Sequence, residues 1–153
     1  MNRPYQHSNY KRGGHQSREK IKFDMTFNPE WIKEGANQKM IEFTKELGHF
    51  LKEHRISSSQ LRNIYGEITR IKLKGIQNET PAFWLLKPKI AYNAARIDRK
   101  NEKDAFNELV KVLNQAIDSV DVQNAKTFDN FQKFFEAILA YHKFYENNKK
   151  LMP

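Results

Sequence analysis

Phenylalanine recurs through one late stretch of the chain, at Phe128, Phe131, Phe134 and Phe135, and Ile138, Leu139 and Tyr145 continue the series. Residues three and four apart share a face of an α-helix, so this spacing describes a helix with a broad aromatic stripe. Rings of that size drive burial, and a single helix cannot bury its own stripe. The stripe therefore demands partner helices, and the rest of the chain supplies them. Phe106, Leu109, Val110, Leu113, Ala116, Ile117 and Val120 give a helix from Asp104 to Val120 an apolar face. Met40, Thr44, Leu47, Leu51 and His54, widened by Ile41, Phe43 and Phe50, do the same from about Gln38 to His54. Ser57 and Gln60 form a capping box, and the helix they open carries Leu61, Ile64, Tyr65, Ile68 and Ile71 before stopping at Gly75. Asn28-Pro29 and Thr80-Pro81 each read as an N-cap followed by proline at the first helical position. Thr127 reads as the N-cap of the phenylalanine helix. No window alternates with period two, and no repeat of fixed period appears. The expected fold is all-α: a compact antiparallel bundle of about five helices with short loops.

One segment does not fit a simple amphipathic helix. Phe83, Trp84, Leu85 and Leu86 are too many adjacent large apolar residues for one face, so a neighbouring helix or another chain must cover some of them. Pro88 follows, and a helix must end, kink or restart there. The continuation, expected to end near Arg99, places Lys89, Arg96 and Lys100 on one side and Ile90, Ala94 and Ile97 on another. Such a stripe of cations is either a solvated face or a surface for a polyanion.

Charge separates those readings. The chain carries a net +9, and residues 55–103 hold eleven Lys/Arg against four Asp/Glu. Residues 1–26 hold six against two, whereas 27–54 and 104–153 each come to −1. A localised excess is the electrostatic footprint expected for a phosphate backbone. Residues 1–26, with Gly13-Gly14 and few aliphatics, read as a disordered basic tail ahead of a single helical domain at 27–153. That tail either solubilises the chain or stacks Tyr5 and Tyr10 loosely on single-stranded bases. With so few apolar residues, its removal is expected to leave the melting temperature unchanged. No cysteine is present, which excludes disulfides and cysteine-bound zinc. No apolar run reaches the length of a membrane span and no leader is visible, so a cytoplasmic protein with no membrane partner is expected.

Catalytic constellations are absent from the sequence. Glu46 and His49 have the Glu-x-x-His spacing of di-iron bundles, but there is no second copy. His49 and His54 point to different sides of a helix. His142 lacks the upstream arginine of helical RNases, and no glycine loop could cradle a phosphate. No catalytic residue, metal site or cofactor is expected.

Three stretches together resemble the Csm-type small subunit of type III-A CRISPR effector complexes. They are Ser59-Gln60-Leu61-Arg62-Asn63-Ile64-Tyr65, Leu85 to Arg96, and Phe131 to Tyr145 with its Ala140-Tyr141-His142-Lys143-Phe144-Tyr145 end. The likeness covers about residues 38–147 and leaves the basic tail outside. It implies a non-catalytic helical bundle whose copies stack along the guided complex beside other subunits. It further implies that the bundle contacts crRNA and target RNA through positive residues. By matched position these are Arg62, Lys87, Lys89, Tyr92 and Arg96; Arg55, Arg70 and Arg99 join them from the charge distribution. Tyr92 either packs in the core or stacks. A guided complex must accept any sequence, so it should grip backbone rather than base edges. A small subunit of a type III-B complex, or a helical module binding acidic protein, would fit the same charges.

Overall fold

The structure is a computed structural model and describes residues 19–148. Among these residues the chain forms seven α-helices: α1 (Glu30–Lys33), α2 (Gln38–Glu53), α3 (Ser58–Lys74), α4 (Thr80–Trp84), α5 (Leu86–Ala95), α6 (Lys100–Asp118) and α7 (Ala125–Asn147). A 3-10 turn, Ile76–Asn78, leads into α4, and no strand is present among the described residues. α2, α3, α5, α6 and α7 are the helices that the apolar periodicity predicts; α1 and α4 are little more than single turns.

The phenylalanine stripe is the axis of the core. Phe128, Phe131, Phe134, Phe135 and Ile138 are fully buried, and α1, α2 and α3 lie against their helix. Phe134 stacks on Phe43 of α2 with ring centroids 6.0 Å apart, and Phe27 meets it edge-on at 5.4 Å. α6 packs against both α2 and α5. The α2–α7 contact is a backbone contact: a Cβ at Gly48 would lie 2.8 Å from the amide nitrogen of His142 and 3.0 Å from the carbonyl oxygen of Ile138. His142 itself is buried, and its Nε2–H donates to the Ile56 carbonyl at 2.7 Å. That bond ties α7 to the turn that opens α3, a structural use of the histidine.

Local signals set several boundaries as expected. Ser57 accepts from the Gln60 amide and the Gln60 side chain accepts from the Ser57 amide, completing the capping box. Gly75 ends α3 at φ 92°, in the region that favours glycine. Other boundaries move. Asn124, not Thr127, caps α7; its side chain accepts from the Lys126 amide. Thr127 lies buried in the first turn, where its hydroxyl accepts from the Asp121 amide and so closes the α6–α7 loop. Thr80 begins α4 rather than capping it, and its hydroxyl donates back to the Ile76 carbonyl. The break expected at Pro88 falls at Leu85, and Pro88 sits in the first turn of α5, where a missing N–H costs little. α5 stops at Ala95, so Lys100 opens α6 instead of extending the helix of Lys89.

Contacts also involve residues before 27. Residues 1–18 lie outside the described residues. Residues 19–26 carry no regular element, but the Ile21 amide donates to Asp104 at 3.2 Å and the Phe23 amide to Glu108 at 3.1 Å. The Phe23 ring lies 5.4 Å from Phe43 and 5.2 Å from Phe50. Ile21 and Phe23 therefore lie against the bundle. Phe23→Ala should lower the midpoint of thermal unfolding, with a loss of about 1–3 kcal/mol, less than a fully buried ring would give. An unchanged midpoint would show that the segment only rests on the bundle. Among the described residues no helix is long and apolar enough to cross a membrane.

Candidate nucleic-acid interface

α3 and α5 lie side by side and run in opposite directions. Near the start of α3, Ser59, Gln60 and Asn63 face Asn93, Arg96 and the loop to Arg99 across an open cleft of about 550 Å³. One turn further along α3, Glu67 meets Lys89. The capping box fixes where α3 begins, and the early stop of α5 turns Arg96 and Arg99 out into the loop beside it. Arg55 stands at the end of α2 in the left-handed region, φ 68°, and shares a second cleft with Arg99 and Glu102. Since Arg99 and Glu102 line both clefts, Arg55, Arg96 and Arg99 surround one end of the molecule. Arg62, next to Asn63 on α3, is exposed.

The cations divide by their partners. Arg70 pairs with Glu79 at 3.1 Å and Glu67 at 3.5 Å, Lys87 with Asp118, Lys89 with Glu67 at 3.1 Å, and Arg99 with Glu102 at 3.7 Å. Arg55, Arg62 and Arg96 have no acidic partner among the described residues. A cation already paired offers a polyanion little net charge, whereas an unpaired one offers all of it. The three arginines are in the second group, as is Lys100 beside Arg55, and the clefts that Arg55 and Arg96 line also hold Glu53, Asp98 and Glu102.

Glu67 tempers the positive charge. The hydrogen bond from Lys89, opposed by some desolvation and aided by the charges of Lys89 and Arg70, holds the Glu67 carboxyl below its ordinary range. It is thus ionised at neutral pH and neutralises Lys89. Glu67→Gln should free that lysine: RNA affinity should rise at low salt, the salt dependence should steepen, and folding stability should move by no more than about half a kcal/mol. Unchanged affinity would place Lys89 off the RNA path.

Tyr92 does not pack in the core. It is 63% exposed, and the Arg96 guanidinium lies 5.7 Å from its ring centroid, a cation–π distance. Beside it on the outer side of α4 and α5 are Trp84, 48% exposed, and Leu85, 54% exposed, while Phe83 and Leu86 are buried. The crowded apolar run is thus half covered by the bundle and half left as a ridge. Residue spacing gives no role to the amides of Asn63 and Asn93, yet they line the cleft with Nδ2 and Oδ1 3.5 Å apart. Their only sequence signal is position: Asn93 falls between Lys89 and Arg96, and Asn63 beside Arg62.

The histidines have neighbours other than a metal. His49 lies against Tyr145 with ring centroids 4.4 Å apart and tilted, and 3.7 Å from Glu53, and His54 leans on Phe50 at 4.6 Å. Among the described residues no group of three or more His, Cys, Asp or Glu side chains is placed to hold a metal ion.

Among known proteins, a family model described as Csm2 Type III-A matches residues 34–148, well over half the chain. No curated protein and no solved structure matches.

Proposed function

The chain belongs to the Csm2 Type III-A family, the small subunits of type III-A CRISPR effector complexes, and from that premise we propose that it grips the backbone of crRNA and target RNA without reading sequence. One observation carries the reading: Arg55 and Arg96 line two clefts that share Arg99 and Glu102, and neither they nor the exposed Arg62 forms an ion pair among the described residues, although Glu53, Asp98 and Glu102 line the same clefts. Unpaired arginines on a folded surface suit phosphates, whose oxygens match the planar guanidinium fork. Lys89, Lys87, Arg99 and Arg70 are paired cations, and RNA phosphates would compete with their acids for them. Affinity then depends on counterion release and stays indifferent to base order.

The exposed apolar ring of Trp84 has a separate use in this reading. It packs against other subunits of the complex, stacked copies of this chain among them. The subunit contributes grip rather than chemistry, needs no cofactor, and acts in the cytoplasm as part of antiviral defence.

Purification of the assembled complex through this subunit tests the proposal. Guide RNA and the other subunits should be recovered with it, and the isolated chain should bind unrelated RNAs equally, with affinity falling steeply from low to physiological salt. Recovery of acidic proteins without RNA would favour a protein-binding module instead. Affinity that ignores salt or follows one sequence would contradict backbone grip.

A further inference from the structure

We infer that the α3–α5 cleft seats one unpaired nucleobase of the bound RNA, with Tyr92 as its stacking surface and the Asn63 and Asn93 amides at its edge. The inference rests on the RNA reading above and adds a site to it. Phosphate binding alone would explain arginines, but not the rest of this groove. On the Tyr92 side the groove is lined by Leu85, Pro88, Asn63, Asn93 and the Lys89–Glu67 ion pair, so apolar rim, a neutralised charge pair and carboxamides converge there. The same two asparagines line the cleft on the Arg96 side, so the two hollows meet across them.

Each part suits a base. Arg96 lies over the Tyr92 ring and holds its orientation, yet most of the tyrosine stays open to water. An exposed, oriented ring is a stacking platform that tolerates any base, because every base has a π-face. A carboxamide carries two N–H donors and an acceptor with two lone pairs. The single 3.5 Å contact between Asn63 and Asn93 leaves most of that capacity unused. An amide that can turn over offers a donor or an acceptor to a base edge, which suits a site that must not select sequence. Arg96 then stands where the sugar–phosphate of the seated nucleotide would leave the groove.

The test compares one RNA single-stranded and the same RNA paired with its complement, each titrated against the full chain. The single strand should bind more tightly than the duplex. Tyr92→Ala should weaken the single strand by about 5- to 100-fold with the slope of log affinity against log salt unchanged, because stacking releases no counterions. Tyr92→Phe should retain binding. Arg62→Ala, in contrast, should lower the slope for both RNAs. The inference is overturned if Tyr92→Ala leaves single-strand affinity intact, or weakens strand and duplex alike. It is also overturned if that variant alters only self-association in sedimentation, since Tyr92 would then belong to a protein contact. Absence of any salt-sensitive RNA binding by the wild-type chain would instead remove the RNA reading itself, and the base seat with it.

Discussion

Phe135→Ala is expected to cost about 3–5 kcal/mol of folding free energy, a large share of the roughly 5–15 kcal/mol that a domain of this kind has. The ring is completely buried on α7, the helix that α1, α2 and α3 all pack against, and the Tyr65 ring of α3 lies 6.0 Å away. Urea unfolding followed by helical circular dichroism should show the midpoint falling with the slope unchanged. A loss under about 1 kcal/mol would mean that α7 is not the axis of the core, and that its aromatic face is free for another subunit.

Replacing Arg55, Arg62 and Arg96 together with glutamine should leave the fold intact and weaken RNA binding by roughly tenfold to a hundredfold at physiological salt. Glutamine keeps much of each side chain's length and removes only the charge. None of the three has an acidic partner among the described residues, so each change should alter stability by no more than about half a kcal/mol. The slope of log affinity against log salt should fall by about two to three, near 0.7–0.9 for each phosphate that is no longer neutralised. The weakening should be the same for unrelated sequences. Matching effects are not expected from Arg70 or Lys87, whose charges Glu79, Glu67 and Asp118 already meet. A triple variant that unfolds would make these arginines structural anchors.

How far the sequence reaches depends on the range of the interaction. The capping box at Ser57, the stop at Gly75 and the stripes of α2, α6 and α7 are set within one or two helical turns, and they read directly from residue spacing. The break at Leu85 does not. Pro88 is tolerated in a first turn, so the position of the break follows from the need to bury both Phe83 and Leu86, which only the assembled bundle decides. Thr127 has the chemistry of a cap, but Asn124 stands three residues earlier, and the threonine is drawn to the Asp121 loop instead. Phe23 belongs to a segment too short to display any period. The charge map behaves in the same way. Counting by segment finds the basic middle of the chain, but Lys87–Asp118 and Lys72–Asp129 join distant segments, and only the fold reveals which cations they neutralise. The contrast between unpaired Arg62 and paired Lys89, both implied by the family likeness, is a tertiary fact. So is the meeting of Asn63 with Asn93.

We propose the α3–α5 end as the RNA-facing surface, and photocrosslinking within the assembled complex tests that proposal most directly. The complex would be purified through its guide RNA, loaded with target, irradiated and digested, and the RNA-linked peptides of this subunit identified. Crosslinks should concentrate in peptides spanning residues 55–63 and 89–99, with Tyr92 among the linked residues, and should disappear in the Arg55, Arg62 and Arg96 triple variant while the complex still assembles. Crosslinks confined to α7 or α1, or an unchanged pattern in the triple variant, would contradict it and place the RNA on another face of the bundle.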